Sequence, residues 1–162
     1  MDARQAILAN LASADFTVDG YLADIQPAEM LARAVPGSNH LAWQIGHLIQ
    51  SERYLAERCQ PGSICPLPAG FEARHKKETA GSDNPADFLS KEEYQRIRGQ
   101  VRADVSKLIE SLKPEDLDKP VDKVPPFLKT VGQTLLFLGP HWLMHAGQWA
   151  VIRRKLGRPP LF

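Results

Sequence analysis

Histidine is the residue type of this chain with the most chemistry to offer, and two of its five histidines, His141 and His145, stand four positions apart. Four residues advance an α-helix by one turn, about 6 Å, so both imidazoles converge on one point of one face. Neutral imidazoles in that relation suit a first-row divalent ion. Two of them alone make a weak site. The bland alternative puts His141 in solvent and makes His145 a core histidine bonded to a backbone carbonyl. The residue after His141 is Trp142, so the HExxH pattern of a metalloprotease is excluded. A third ligand must come from another element. His40 and His47 share a helix face but lie roughly 10 Å apart along it, so only one of them can join. Trp43 lies one turn before His47, and Gly46 beside it leaves room for close approach of another group. His75, followed by Lys76 and Lys77, reads as exposed and uninvolved. Asp15 and Asp19 read as a solvated flank, and Cys59 and Cys65 as ordinary cysteines. Cys-x5-Cys is a poor zinc pattern, and a cytosolic setting argues against a disulfide between them.

The element that must present His141 and His145 is the stretch Thr130 to Phe162. Val131, Leu135, Leu138, Trp142, His145, Trp149, Ile152 and Leu156 recur every three or four residues, the period of a helix with one apolar stripe. Thr130 and Gln133 have capping-box spacing. Arg153, Arg154 and Lys155 suit the negative end of the helix dipole, Gly157 is placed to end the helix, and Pro159-Pro160 prevents continuation. Pro140 interrupts this reading. It has no N–H and clashes with the carbonyl four residues back, so the helix either kinks there or breaks and restarts with Pro140 in its first turn.

Three further helices follow from the same period. The first runs from Asp2 to about Ile25 on Leu8, Leu11, Ala14, Val18, Leu22 and Ile25, weakened at Gly20. The second, capped by Ser38 or Asn39, runs to about Cys59 on Leu41, Ile45, Leu48 and Leu55, with Trp43 and Tyr54 on its flank. The third opens on a Ser90/Glu93 capping box and spans Lys91 to about Leu112. Between the second and third lies a Pro-, Gly- and Ser-rich crossover from Gln60 to Ser90. That is far more than a helical hairpin needs, so the next helix does not double back beside the last. No alternating run competes as a strand. The expectation is an all-α, single-domain four-helix bundle over residues 1–162, with bundle-core ligands drawn from facing helices.

Composition narrows the function classes. The chain has 20 basic and 19 acidic residues, a formal charge of +1, 43% hydrophobic and 24% charged residues. This is the composition of an ordinary globular protein and not of a strongly basic nucleic-acid binder. No stretch approaches the ~20 apolar residues of a membrane span, and the N-terminus lacks the pattern of a signal peptide. A cytoplasmic protein is expected, with no nucleic-acid or membrane partner. No motif implies a nucleotide, flavin or haem.

Two segments carry a resemblance. NHLAWQIGHLIQSERYL (Asn39 to Leu55) and HWLMHAGQWAVIRRKLGRPPLF (His141 to Phe162), with an HxxxHxGQ arrangement followed by RxxLGxPP, resemble the DinB/YfiT-like superfamily of metal-dependent enzymes. The resemblance implies a four-helix bundle of up-down-down-up topology, commonly a homodimer. It implies one divalent metal held by one histidine of the second helix and two of the last, which selects His47, with His141 and His145, over His40. Zinc or nickel suits three imidazoles, and such a set leaves an open position for water or substrate. Some relatives are thiol-dependent transferases or isomerases, in which the metal makes thiolate of a small thiol cosubstrate; others are assigned as hydrolases. A small-molecule electrophile is the expected substrate. The competing reading is a non-catalytic metal-binding stress-response module. Gln50, Ser51, Glu52 and Gln148, all near the ligands in sequence, do not decide between these.

Overall fold

The computed structural model describes residues 1–161. They form five α-helices: α1 (Ala3–Leu22), α2 (Leu41–Cys59), α3 (Phe71–Arg74), α4 (Lys91–Ser111) and α5 (Val131–Lys155). Short 3-10 turns lie in the connections, and among the described residues there is no strand, only the isolated bridges Arg33–His40 and Pro120–Thr130. The four long helices close a ring, α1 packing on α5, α5 on α2, α2 on α4 and α4 on α1. No helix among the described residues is long and apolar enough to cross a membrane.

Most helix ends lie where local chemistry puts them. Asp2 accepts the Gln5 N–H and Gln5 returns to the Asp2 N–H; Ser90 and Glu93 do the same for α4. Thr130 accepts the Gln133 N–H at 3.3 Å, but the Gln133 amide reaches one residue further back than expected, to the Lys129 N–H at 2.7 Å. α1 stops at Leu22, short of Ile25, and Lys91 donates to the carbonyls of Ala23 and Ile25 beyond its end. At the end of α5, Gly157 takes φ 75°, the Arg158 N–H reaches the Arg153 carbonyl and the Gly157 N–H that of Arg154. That pattern satisfies carbonyls the helix would otherwise leave open.

The cap of α2 corrects the sequence reading. Neither Ser38 nor Asn39 caps it; His40 does, its Nδ1 accepting the Trp43 N–H at 3.1 Å. Because Nδ1 accepts, the proton sits on Nε2, which donates to the Ser82 carbonyl at 3.2 Å. His40 is fully buried and holds the crossover against the start of α2. Arg33 assists from the preceding connector, donating to the carbonyls of Ala80 and Ser82 and pairing with Asp83 at 2.7 Å.

The core follows the expected stripes with local shifts. Ile7 is buried in α1 where Leu8 was expected, and Trp43 is buried while Tyr54 stays exposed. Asp19 is exposed, as a solvated flank would be, and Asp15 is half-buried; both pair with Arg98 of α4, whose guanidinium carbon lies 5.0 Å from the centre of the Trp142 ring. Arg153 is likewise more than a helix-end cation; it is buried and paired with Asp24. Cys59 and Cys65 are free thiols, and burial pushes Cys59 up to about 12, far from thiolate at neutral pH.

α5 runs unbroken through Pro140, so the helix does not restart there. The glycine before it has a separate reason to be small. A Cβ on Gly139 would lie 1.8 Å from Oδ1 of Asn10 and 3.2 Å from the Asn10 carbonyl oxygen, so a larger residue there would have to displace the Asn10 side chain and press on α1.

Candidate metal centre

Three of the five histidines converge. His47 comes from the middle of α2, His141 and His145 from consecutive turns of α5, and their ligand atoms all lie within 4.8 Å of one another. Ring centres are 5.4 Å apart for His47 and His141, 5.6 Å for His47 and His145, and 5.3 Å for His141 and His145. Aromatic rings hold two of the imidazoles in place. Trp43 stacks on His47 at 5.1 Å with the planes 7° apart, and Phe137 stacks on His141 at 5.4 Å and 18°.

The third is held by hydrogen bonds. His145 Nδ1 lies 2.9 Å from Oε1 of Gln44, and Trp149 Nε1 donates to the same oxygen at 2.9 Å. Gln44 is fully buried, and its own Nε2 donates to the Asn39 carbonyl at 2.5 Å. An indole N–H only donates, so the Gln44 atom facing Trp149 is the carbonyl oxygen. His145 must therefore carry its proton on Nδ1, which leaves the Nε2 lone pair for a ligand. This is the support that metal-binding imidazoles commonly have.

Burial lowers all three imidazoles from their ordinary value. His145 falls to about 4 through burial and then His47; His141 falls to about 4 through burial and then the neighbouring His145 and His47. His47 is lowered by burial alone. At neutral pH the three rings are uncharged and offer lone pairs without first releasing protons. Three neutral imidazoles on two packed helices fit one divalent ion.

His47 and His141 also line a cleft of about 570 Å³. Its floor is the outer side of α2, including Gln50 and Ser51. One wall comes from the crossover (Glu72, His75), the other from Phe127 and Phe137. Gln148, by contrast, is exposed. A volume of this size suits a small molecule.

His75 is the clearest departure from the sequence reading. It is buried, not exposed: Nδ1 donates to the Phe71 carbonyl at 2.7 Å and Nε2 accepts from the Tyr94 hydroxyl at 2.7 Å. Both ring nitrogens are occupied, so it is a wall of the cleft and not a ligand. Its ring lies over Gly46, where a Cβ would be 2.1 Å from Cδ2 and Nε2. The room left by Gly46 is thus filled by His75. Glu52 was also underread. It is buried in the core, where Oε2 accepts from Arg102 at 3.0 Å and from the Trp142 indole at 2.5 Å. It ties the ligand-bearing helices together one turn from the site. The spacing Gly46-His47 was a signal for close packing; nothing local pointed to Gln44.

The sequence model of the DinB superfamily matches residues 17–149, a span that takes in His47, His141 and His145. The comparison with curated proteins gives no match.

Proposed function

The chain belongs to the DinB superfamily, and we propose that it is a metal-dependent enzyme acting as a transferase or hydrolase on a small electrophile. His47, His141 and His145 hold one divalent ion, zinc or nickel by the preference of imidazole. When bound, such an ion supplies Lewis acidity that lowers the pKa of a small thiol cosubstrate or of water. The observation that carries this reading is the convergence of three neutral imidazoles, two of which line a cleft large enough for a substrate. A module that only stores or senses metal has no need of that cleft, so the enzyme reading is preferred to a stress-response binding protein.

The remaining chemistry belongs to the chain's own side chains. Gln44 keeps the His145 proton on Nδ1 and the ring in one orientation. Trp43 and Phe137 fix the planes of His47 and His141 and keep water from their faces. Gln50 and Ser51 give the cleft floor hydrogen-bonding groups beside the ligands.

The same reading covers the architecture: one domain over residues 1–162, a four-helix bundle of up-down-down-up topology with the crossover between α2 and α4. The side-chain pairs support it. Gln44–Trp149, Glu52–Trp142 and Cys59–Thr134 run in opposite directions along α2 and α5. Glu52 joins α2 to Arg102 of α4 near the middle of both helices. We also place the protein in the cytoplasm as a homodimer. Leu161 is 39% exposed and Met144 57%, apolar surface of the kind a partner covers; Phe162, the other residue of the apolar tail, lies outside the described residues.

Metal analysis after chelation, reloading and dialysis tests the centre. One equivalent per chain is expected for the wild type and a substoichiometric amount for His47→Ala, His141→Ala and His145→Ala. A full equivalent retained by His141→Ala would remove the assignment. Turnover of an electrophile by the reloaded protein with a small thiol, and none with the chelated protein, separates enzyme from binding module.

A further inference from the structure

The cleft beside the histidines carries charged groups that make no ion pair among the described residues. Arg53 donates from Nε to the Cys65 carbonyl at 2.8 Å. Its two terminal nitrogens bond to no described residue and are not buried. Glu57, one turn further along α2, attracts Arg53 but makes no ion pair with it; its carboxylate accepts the N–H groups of Gly62 and Ile64. Glu72 of α3 lines the same cleft, exposed, and among the described residues no ion pair joins it to Arg53 or to any other cation. Arg53 and Glu72 also line an adjoining hollow of about 410 Å³, with Lys76.

The opposite wall is apolar and partly bare. Phe127 is 61% exposed, its ring set edge-on to Phe137 at 5.2 Å, and Phe137 in turn stacks on His141. An exposed phenyl ring at the mouth of a cleft gains by being covered with another apolar body.

We infer that this cleft receives a small zwitterion, an α-amino acid or a derivative with an apolar side chain, its carboxylate on Arg53, its ammonium on Glu72 and its apolar body against Phe127 and Phe137. The inference rests on reading the cleft as the substrate site. A simple anion would satisfy Arg53 and meet the Glu72 carboxylate unbalanced; a simple cation would have the converse fault. A ligand with both charges on neighbouring atoms satisfies both residues, and the guanidinium fork offers a carboxylate two parallel donors. The apolar body then lies beside the three imidazoles, where the chemistry of the centre is delivered.

Calorimetric titration of the wild type with L-phenylalanine, L-phenylalaninamide and N-acetyl-L-phenylalanine reads each charge separately. Phenylalanine is expected to bind at least tenfold more tightly than the amide, which lacks the carboxylate, and than the acetyl derivative, which lacks the ammonium. Arg53→Gln should erase the advantage over the amide, and Glu72→Gln the advantage over the acetyl derivative. Equal binding of all three compounds by the wild type, or no binding of phenylalanine, overturns the proposal, and this arm needs no variant to fold. Zinc stoichiometry is measured on the same samples. Neither Arg53 nor Glu72 is a proposed ligand. Failure to load zinc therefore counts against the metal centre, whereas full loading without charge discrimination counts against the zwitterion alone.

Discussion

A single buried amide decides which nitrogen of His145 is available. Gln44 Oε1 takes two N–H donors, from His145 and Trp149, and its own amide N–H is spent on Asn39. Replacing Gln44 with Ala would leave both donors without a partner and let the His145 ring turn. The expected result is a 10- to 100-fold loss of zinc affinity, the usual range for supports of this kind. Gln44→Glu is the informative companion, because a carboxylate still accepts from both donors, although it loses the bond to Asn39 and sets an oxygen against that carbonyl. Zinc competition titrations should rank wild type and Gln44→Glu together, well above Gln44→Ala. If all three bind alike, the amide does not orient the ligand. Gly46 is the other decisive residue on α2. With a Cβ set 2.1 Å from the His75 ring, Gly46→Ala should displace His75 and lower stability by about 1–3 kcal/mol, read by urea denaturation. An unchanged midpoint would show that the crossover moves aside freely.

At the scale of elements, α5 poses its question at Pro140. The helix continues through it, so the proline removes one backbone bond and leaves the Leu136 carbonyl without its helical donor. Pro140→Ala is expected to stabilise the metal-free fold, by up to ~3 kcal/mol, and to weaken metal binding, because the residue after the proline is His141. Thermal melts of the metal-free forms and metal titrations of both proteins check the two halves. Equal affinities would end the idea that the proline aims the ligand. The helices themselves were legible in the sequence because their signals are local: Asp2, Ser90 and Thr130 cap the helices they begin, and apolar residues recur at helical spacing. The convergence of His47, His141 and His145 was legible for a similar reason, a four-residue spacing on one helix and the surrounding family pattern. What escaped was settled by distant partners. His75 is buried by a bond to Tyr94, nineteen residues on, and Gln44 is satisfied by Trp149, 105 residues away. No window of sequence shows either. His40 escaped differently: an imidazole serves as the cap in place of the hydroxyl or amide that usually marks a helix start.

Across the whole molecule, two histidines outside the three-histidine cluster pin the long connection between α2 and α4 to the helices, and this predicts how the fold answers acid. His40 bonds Ser82 at one end of the crossover, and His75 is fixed between Phe71 and Tyr94 in the middle. Burial lowers both to about 4 in the fold, helped at His40 by Arg33 and at His75 by Arg74; the ordinary value is 6.5. Between those values the unfolded chain binds protons that the folded chain does not. Stability is therefore full above about pH 6.5 and falls as the pH drops toward 4. The slope is about 1.4 kcal/mol per pH unit for each such group. Urea denaturation of the metal-free protein at pH 7, 6 and 5 should show the fall beginning near pH 6.5, with His47, His141 and His145, also lowered by burial, adding to it. His75→Gln provides the internal control, since an amide offers one donor for the Phe71 carbonyl and one acceptor for Tyr94 but does not titrate. Its stability curve should lose up to one group's share of the slope between pH 6 and 5. A variant curve parallel to wild type would mean that His75 takes up its proton without unfolding the crossover, and the crossover would then not be held by that ring.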